Sequence, residues 1–553
     1  MSEAAEVMKG VKPPSITKKL INHVATAFDL VNHDGKAYAV FKPRPIDGTG
    51  AAYGPEQPVG VARLLGPSMQ HYIVGMAWAT YQQAVSRSTV EQVMAVLKAG
   101  AFAQPERPLS LRFHHDPQGR RLTVDLGRKD GQCIRISAQG WGVGPSPDGV
   151  MFRRSHATKP LPIPERGGKL TELAELMAMN PDSDEFRLLL GWVLGLPFST
   201  SVRPGLLLIG PPGTGKSTRI RLLTSLWEPS GVEALGSCFG QNHTDDQVRA
   251  SHRAVPLWDN LSAISHNTSD LLCTMVTGAA REVRTLYTTG DLDTQAIQRP
   301  VGLTAVSVPA GLRADALDRL VVVEAPQIPH RIDDAEVQRD FDQAHARLLG
   351  AACDALAGAL RKWPEAGETG DFRMAAFARL LDALDLAELP GLPDGSLLDT
   401  YATAVTTVKQ RNAADDVFGA ALLALLERSA GQWTGQASQL LAAVAGHAQY
   451  GDRDTPGWPR TPRKIPEVLN HLRDGLAALG VTWRTTVVRG STRYYLHGPP
   501  QEQPAQPPGG GTGHLPVVGS LPPAGGGGGL GGGHLPQAGV GIPAVSPPPM
   551  RAL

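Results

Sequence analysis

One stretch of the chain carries the residue types and spacing that bind phosphate groups. Residues 210–217 satisfy the pattern GxxxxGK[ST], with Thr218 directly after it. The apolar run 206–209 precedes the glycines, as a buried strand would, and residues 219–226 continue with helical periodicity. Where a strand, a glycine loop and a helix follow one another, backbone N–H groups and the helix N-terminus surround a phosphate. The sequence therefore predicts a nucleotide-binding loop.

Side-chain chemistry assigns roles within this loop, with ATP and Mg²⁺ as the expected ligands. Lys216 would reach the β- and γ-phosphates, and the Ser217 hydroxyl would hold the metal ion. The residues predicted to bind the nucleotide are Gly210, Pro211, Pro212, Gly213, Thr214, Gly215, Lys216, Ser217 and Thr218. A chance match in a glycine-rich chain is the alternative, and the flanking strand and helix patterns disfavour it.

A second acidic element is needed at the end of a neighbouring strand to position the metal. The apolar stretch 254–258 ends at Asp259, about 40 residues after the loop, and Asp259 would hold Mg²⁺ through water. Asn260 follows, where many ATPases of this class carry a glutamate that polarises the attacking water. Three explanations of this difference stay open: Asn260 only orients the water, another carboxylate acts as the base, or hydrolysis is slow. A buried strand that simply ends in a turn is the structural alternative.

Length and composition limit the classes of protein that remain. With 553 residues, the chain exceeds what one hydrophobic core holds, and three or four modules are expected. The net charge of +1 excludes a globally basic nucleic-acid binder, so any such surface must be local. Four widely spaced cysteines without a CxxC pair argue against a zinc module or a disulfide framework. We expect a cytoplasmic protein without a signal peptide or membrane partner.

Helix and strand patterns divide the chain into five predicted parts. They are an N-terminal α+β domain (1–155), a P-loop ATPase domain (169–332), a helical subdomain (333–412), a winged helix-turn-helix (413–498) and a disordered tail (499–553). The N-terminal part includes a strand over 36–41, a helix over 89–100 and a β-meander over 109–114, 121–126 and 133–137. The tail has 15 Gly and 11 Pro among residues 501–553, so it cannot form a packed core.

With these elements in place, the chain resembles the AAA+ ATPases of phage and plasmid replication proteins. These are the superfamily 3-like (SF3-like) helicases of actinobacterial mobile elements, including primase-helicases. The resemblance covers roughly residues 30–498. Besides the loop, it rests on the blocks 259–264, 269–278, 284–288, 299–304 and 313–320. It implies an α/β P-loop NTPase core of the AAA+ type that hydrolyses ATP.

The resemblance also implies the catalytic set Lys216, Asp259, Asn260, Thr304 and Arg319. Thr304 would lie at the tip of the strand between those of the loop and Asp259, where many relatives have asparagine. Arg319, with Arg313 as second choice, would act as an arginine finger from a neighbouring subunit, which implies a homo-oligomer in the form of a hexameric ring. An internal pair between Arg319 and Asp315 is the alternative.

The C-terminal part has the pattern of a winged helix-turn-helix. Helices are predicted over 416–428, 436–447 and 465–479, a turn over 431–435, and two strands over 482–488 and 492–496. Residues 454–498 contain seven Lys or Arg and three acids, which is +4. The residues expected to contact DNA are Arg463, Lys464, Asn470, Arg473 and Arg489, together with Arg284 in the pore-facing hairpin of the ATPase part. The alternatives are a protein-binding winged helix, a structural cap and, for Arg284, a solvated surface residue.

Three functional hypotheses follow. The main one is an ATP-dependent DNA helicase or translocase acting in replication of a phage, plasmid or integrated element. The alternative is an ATP-dependent DNA-binding switch, such as a loader or regulator, with little or no unwinding. The third is a non-catalytic scaffold that keeps nucleotide for folding.

Overall fold

A computed structural model describes residues 14–42 and 60–499, apart from short internal segments. Those segments are 119, 156, 200–202, 230–234, 238, 279–280, 285–291, 296, 329–332, 368, 371, 456–457 and 489. The side chains of 237, 281–284 and 292–295 are also outside the description. The predicted tail lies outside the described residues, except for residue 499. No helix among the described residues is long and apolar enough to cross a bilayer.

The first described residues form a helix and an antiparallel hairpin that have their own core. The elements are α1 (Ile16–Ala27), β1 (Phe28–His33), β2 (Lys36–Phe41), β3 (Val61–Leu64), α2 (Pro67–Tyr81) and α3 (Arg87–Phe102). Asp34 and Gly35 join β1 to β2 with φ values of 51° and 64°, the left-handed pair that a two-residue hairpin turn requires. Helix faces carrying Val24 and Ile73 pack on Phe28 and Phe41. The predicted strand over 36–41 is confirmed, and α3 extends the predicted helix 89–100 at both ends.

A four-stranded meander follows, but its core is shared with the next part of the chain. It consists of β4 (Phe113–Asp116), β5 (Arg121–Asp125), β6 (Gln132–Ser137) and β7 (Gly140–Pro145), after which β8 (Phe152–Arg153) pairs with β3. Leu122 and Ile134 belong to the same hydrophobic core as Trp192 and Leu207. The hydrophobic core therefore does not divide at residue 155, because the inner face of the meander is buried against the neighbouring helices.

The next part is a five-stranded parallel sheet with helices around it. The elements are α4 (Thr171–Leu176), α5 (Asp184–Gly195), β9 (Gly205–Ile209), α6 (Lys216–Ser225), β10 (Leu235–Ser237), α7 (His243–His252), β11 (Leu257–Ala263), α8 (His266–Thr277), the hairpin β12 (Arg281–Arg284) and β13 (Leu292–Gln295), β14 (Gly302–Ala310), α9 (Ala314–Leu317) and β15 (Leu320–Glu324). The strand order is β10-β11-β14-β9-β15, with every neighbouring pair parallel. The α/β character predicted for the core is confirmed. As predicted, β14 lies between β9 and β11.

Three helices pack beside this sheet. They are α10 (Asp334–Lys362), α11 (Ala375–Asp385) and α12 (Leu397–Asp415). Pro390 and Pro393 lie between α11 and α12, where the chain forms turns. Buried residues of α10 and α11, such as Leu356 and Leu381, extend the core of the sheet.

The last part combines short helices with a three-stranded antiparallel sheet. Its elements are α13 (Val417–Arg428), β16 (Gln432–Gln436), α14 (Ala437–Ala445), two 3₁₀ turns (Asp452–Asp454 and Pro462–Lys464), α15 (Ile465–His471), α16 (Arg473–Ala478), β17 (Thr482–Val488) and β18 (Ser491–His497). The sheet order is β16-β18-β17. The turn predicted over 431–435 was wrong, since β16 pairs with β18 there. The single helix predicted over 465–479 was also wrong, because the chain turns at Leu472.

Candidate nucleotide-binding site

The loop between β9 and α6 has a backbone shape that its glycines make possible. Gly210, Gly213 and Gly215 have φ values of 151°, 88° and 67°. Side-chain-bearing residues rarely adopt these values. A Cβ on Gly215, which caps α6, would lie only 2.6 Å from the Cδ1 atom of Ile328. Pro211 and Pro212 are exposed, whereas Thr214 is buried and its hydroxyl donates to the carbonyl of Pro211 (3.0 Å). The predicted strand–loop–helix arrangement is present.

The Lys216 ammonium group points into the mouth of this loop. Its Nζ donates to the carbonyl oxygens of Gly210 (2.8 Å) and Pro211 (3.0 Å). Burial lowers the pKa of Lys216, and the nearby Asp259 carboxylate opposes that effect. A phosphate oxygen is a stronger acceptor for an ammonium group than a neutral carbonyl. The lysine is therefore held where an anionic ligand in the loop would draw it away from the two carbonyls.

Ser217 and Asp259 meet directly at the carboxyl edge of the sheet. The Ser217 Oγ donates to both carboxylate oxygens of Asp259, at 3.0 and 2.9 Å. Adjacent ligands of an octahedral Mg²⁺, each 2.0–2.1 Å from the metal, lie about 2.9 Å apart. A hydroxyl and a carboxylate are oxygen donors of the kind that Mg²⁺ prefers. The two side chains thus fit a Mg²⁺ ion with a spacing that suits direct contact by both, whereas the sequence analysis expected Asp259 to hold the ion through water.

Thr304 completes this polar group as the third residue of β14, so the prediction that it lies at the tip of that strand was wrong, because the strand continues to Ala310. Its hydroxyl donates to the Asp259 carboxylate and accepts a hydrogen bond from the backbone N–H of Asn260 (2.9 Å). The side chain is fully buried, and strand register explains its position, since Trp258 pairs with Leu303 one residue earlier. Asn260 itself is exposed and left-handed (φ 58°), at an irregularity between β11 and β14. The sequence-predicted Ser217, Asp259, Asn260 and Thr304 are therefore neighbours.

A cavity of about 490 Å³ opens beside the loop. Besides Gly213, Gly215 and Thr218 of the loop, it is lined by residues from three other segments: Leu176, Met177, Ala178, Ile328, Asp333, Asp334 and Val337. The Thr218 hydroxyl donates to the Asp334 carboxylate (3.0 Å), which ties α6 to the first turn of α10. The cavity has apolar walls and adjoins the phosphate-type loop, so it suits the base and sugar of a nucleotide.

Arg219 fixes the wall of this cavity, and sequence reasoning gave it no such role. The side chain is buried, and its guanidinium donates only to backbone carbonyls in the part of the chain that the structure describes. The acceptors are Met177 (2.9 Å), Ala178 (3.1 Å), Thr214 (2.9 Å) and Pro326 (2.7 Å). These carbonyls come from the segment before α5, the loop and the segment after β15. Arginine in a helical pattern normally indicates a solvated face, so no sequence signal marked it.

The two arginines considered as fingers differ in exposure. Arg319 is 7% exposed, and its guanidinium pairs with the Asp315 carboxylate and backbone carbonyl of its own chain. This is the internal pair that the sequence left open as the alternative. The Arg313 side chain is 49% exposed and lies 3.1 Å from Asp270. The role of each toward a second subunit stays a prediction.

Of the six residues predicted to contact DNA, four have side chains that the structure describes and two do not. Lys464 lies 2.6 Å from Glu467, Arg473 donates to the Asn470 amide oxygen (2.8 Å), and the Arg473 guanidinium lies 5.5 Å from the centre of the Trp483 ring. Arg463 is exposed in a 3₁₀ turn. Arg284 lies in β12, but its side chain is outside the described part, as is Arg489. All six assignments stay predictions.

Comparisons with known proteins identify two matching segments. Residues 171–406 match the family model for the actinomycete integrative conjugative element (AICE) replication protein, and residues 418–503 match the AICE RepA C-terminal domain. The N-terminal boundary of the first match falls at the start of α4, so the site described above lies wholly inside it. No curated protein matches the chain.

Solved structures give a more distant likeness. The SCCmec type IV Cch active helicase has 12% identity and a TM-score of 0.42, over 85% of this chain and 93% of that one. The apo C-terminal region of NrS-1 has 11% identity and a TM-score of 0.38, over 89% of this chain and 100% of that one. At such low scores, the assignment of the fold depends on the strand order and loop geometry of the chain itself.

Proposed function

Residues 171–406 and 418–503 belong to the replication proteins of actinomycete integrative conjugative elements, and we propose that the chain is an ATP-dependent motor on DNA. In this proposal, it hydrolyses ATP with Mg²⁺ and unwinds or moves along DNA during replication of the element. The single observation that carries the proposal is the meeting of Lys216, Ser217 and Asp259 at the carboxyl edge of a parallel sheet. Ligands bind at this edge in open α/β sheets.

Each polar residue has a proposed task in hydrolysis. The loop N–H groups and Lys216 bind the phosphates, while Ser217 and Asp259 hold Mg²⁺, which neutralises phosphate charge when it is bound. Thr304 fixes the Asp259 carboxylate and the Asn260 backbone through its two hydrogen bonds. The exposed Asn260 side chain, beside Asp259, then orients the attacking water.

We propose that the ATPase works as a ring in which each subunit supplies an arginine to the nucleotide of its neighbour. A guanidinium from a neighbouring subunit would stabilise the charge on the transferred phosphoryl group. Arg313 is better suited than Arg319 for this role in the described conformation. Its side chain is half-exposed, whereas that of Arg319 is buried against Asp315. A hexamer is the expected assembly.

The C-terminal part is proposed to be a winged helix that binds DNA. The support is the element order α13, β16, α14, α15–α16 and the β17–β18 hairpin, together with the +4 charge of residues 454–498. Arg473 rests against the ring of Trp483, so its guanidinium is held at the surface between the helix and the hairpin. Phosphate contacts from such residues would position the protein on DNA.

A second function is favoured by one specific observation. The position after Asp259 holds Asn260, whose amide cannot accept a proton from water. An ATP-dependent DNA-binding switch with little unwinding would need nucleotide binding and only slow hydrolysis. On this alternative, ATP would change the affinity for DNA and strands would stay paired.

The discriminating experiment is strand displacement on forked DNA, with ATP hydrolysis followed in the same samples. A motor should unwind the fork and hydrolyse ATP faster with DNA than without it, and Lys216→Ala should abolish both. Lys98→Ala, which removes an exposed lysine of α3, is the matched control and should change neither. Nucleotide-dependent DNA binding without unwinding would favour the switch. Normal function of Lys216→Ala would indicate a scaffold and would overturn the motor proposal.

A further inference from the structure

A second cleft, with no residue in common with the nucleotide site, has a volume of about 510 Å³. Its walls are the β6–β7 turn at Gly140, the segment 166–170, one face of α10 around Ala355, and the loop 389–392. Asp334 of the nucleotide site and Ala355 of this cleft belong to the same helix and lie about 30 Å apart along its axis. The cleft is therefore a separate site and not an extension of the first.

The side chains around the cleft have an excess of positive charge. Arg166, Lys169 and Arg361 line it, against one acid, Asp354. Asp354 is already engaged, since its Oδ1 accepts from the Trp141 indole N–H (2.8 Å) and lies 3.3 Å from Arg166. Among the described residues, Lys169 and Arg361 have no carboxylate within 4.0 Å of their side-chain nitrogens. Two cations therefore remain for an anionic ligand.

Nearby carboxylates do not cancel this charge. Glu172, the acid closest in sequence to Lys169, lies 3.3 Å from the Arg347 guanidinium and accepts the Lys169 backbone N–H. The Arg361 Nε donates to the carbonyl of Ala138 (3.1 Å), which ties the guanidinium to the meander at the edge of the cleft. In the described part of the chain, the Lys169 ammonium group and the terminal nitrogens of Arg361 keep donors for a ligand.

The walls of the cleft are held together by backbone contacts that only glycine permits. A Cβ on Gly168 would lie 2.2 Å from the Arg347 carbonyl oxygen, and one on Gly350 would lie 1.7 Å from the Glu165 carbonyl oxygen. On the opposite side, Gly391 (φ 87°) accepts the Leu170 N–H (3.0 Å). Segments that pack backbone to backbone do not close or open easily. The cleft is thus preformed, which lowers the cost of binding.

Part of the lining of the cleft is apolar. It comes from the buried Leu170 and Ala351 and the partly buried Leu389 and Leu392, whereas Pro390 is exposed. At one edge, the Arg166 guanidinium lies 4.4 Å from the centre of the Trp141 ring and donates to the Trp141 carbonyl (3.2 Å). A planar cation held against an aromatic ring offers one flat face for stacking and N–H groups for anions. A ligand that fits this cleft has a flat apolar part and an anionic group.

We propose that this cleft binds a phosphorylated nucleoside, with the phosphate at Lys169 and Arg361 and the base against the apolar part of the lining. Its volume is close to that of the first site, about 510 against 490 Å³. The ligand is either a free nucleotide or one nucleotide of a DNA single strand, since both present the same base and phosphate chemistry. The inference does not depend on the proposed motor function, because it involves neither hydrolysis nor unwinding.

The test uses the full chain with Lys216→Ala, so that the first site contributes little. Binding of a fluorescent adenine nucleotide and of a fluorescent dT20 strand is measured by anisotropy. Lys169→Ala combined with Arg361→Ala should weaken one of the two ligands about tenfold or more. Lys18→Ala combined with Lys98→Ala removes two exposed lysines elsewhere and should leave both affinities within about twofold. Loss for the nucleotide identifies a free ligand, and loss for dT20 alone identifies a nucleic-acid strand.

A second measurement needs no change to the cleft. Lysine acetylation of the otherwise unmodified Lys216→Ala chain is mapped by mass spectrometry with and without each ligand. Protection of Lys169, with unchanged labelling of Lys98, supports the proposal. Unprotected Lys169 with both ligands, together with unchanged affinities of the double variant, overturns it. DNA unwinding by the wild-type chain is measured separately, so a failed cleft and a failed motor are distinguishable.

Discussion

The hydroxyl of Ser217 donates to both carboxylate oxygens of Asp259, at 3.0 and 2.9 Å. Ser217 lies in the first turn of α6, which follows β9, and Asp259 lies in β11, which is two positions from β9 in the sheet. Their contact therefore depends on the whole α/β core being assembled correctly. Because both oxygens are suited to Mg²⁺, the contact is the most direct support for metal-dependent hydrolysis.

Asp259→Asn should lower the rate of ATP hydrolysis about 10²-fold or more, because an amide oxygen is a weaker ligand for Mg²⁺ than a carboxylate. The measurement is steady-state hydrolysis as a function of Mg²⁺ concentration. Asp340→Asn, at an exposed position of α10, is the control and should behave like the wild type. Unchanged Mg²⁺ dependence in Asp259→Asn would remove the metal role assigned to this residue.

Thr304→Val should slow hydrolysis and destabilise the fold, because the variant keeps the shape but loses the hydroxyl. The Asn260 N–H would lose its acceptor and Asp259 would lose a donor. An unsatisfied buried group costs about 1–3 kcal/mol in the free energy of unfolding. Urea denaturation and single-turnover hydrolysis measure the two effects. Thr304→Ser restores the hydroxyl and should recover most of both, an outcome that a purely steric role for Thr304 does not allow.

The sequence predicted the parts of this site whose chemistry is local. The glycines at 210, 213 and 215 specify a loop because their backbone shape excludes other residues, and the apolar runs on either side specify a strand and a helix. The closeness of Thr304 to Asp259 also followed, because the predicted strand order places β14 beside β11, although Thr304 does not lie at the tip of β14. In the same way, the Asp416 carboxylate caps α13 at the predicted start of that helix.

Other features depend on contacts between residues that are distant in the sequence, and no local sequence pattern predicts them. Arg219 is buried because carbonyls from residues 177, 178 and 326 surround it, although its own helix shows only an arginine on a polar face. From the sequence, the meander was assigned to an N-terminal domain. The alternation of its apolar residues predicts a buried face but not which elements pack against that face. At Leu472 the helix pattern continues while the chain turns, since tertiary packing overrides local propensity.

Asn260→Glu should accelerate hydrolysis if the missing carboxylate limits the rate. A positioned general base contributes roughly 10²–10⁴-fold, although glutamate at a left-handed position costs about 1–2 kcal/mol of stability. Single-turnover hydrolysis with and without DNA is the measurement. Asn260→Gln, which has the same length and no basic oxygen, is the matched control. Equal rates in the two variants would mean that another group is the base, or that a step other than water activation is slow.

Arg313→Ala and Arg319→Ala should separate catalysis from folding. Arg319→Ala removes a buried guanidinium but leaves the exposed Asp315 with Arg373 at 3.6 Å, so it should lower the free energy of unfolding by only about 1 kcal/mol. Arg313→Ala should leave the melting temperature almost unchanged and reduce hydrolysis. Mixing Arg313→Ala with Lys216→Ala subunits should then restore part of the activity, because an intact lysine and an intact arginine meet at some interfaces. No recovery on mixing would contradict an arginine supplied by a neighbour.

His115 should make the fold sensitive to mild acid. Burial and the Arg203 guanidinium lower the pKa of His115 to about 4, with His114 acting in the same direction and Asp116 opposing. Because the unfolded chain binds the proton at a higher pH, stability is complete above about pH 6.5 and falls as the pH decreases toward 4. The loss at pH 4.5 should be about 2–3 kcal/mol. Urea denaturation across this range should show a flatter decline for His115→Asn, whereas His71→Asn, at an exposed position, should retain the wild-type slope. Equal slopes in His115→Asn and the wild type would show that other groups cause the acid sensitivity.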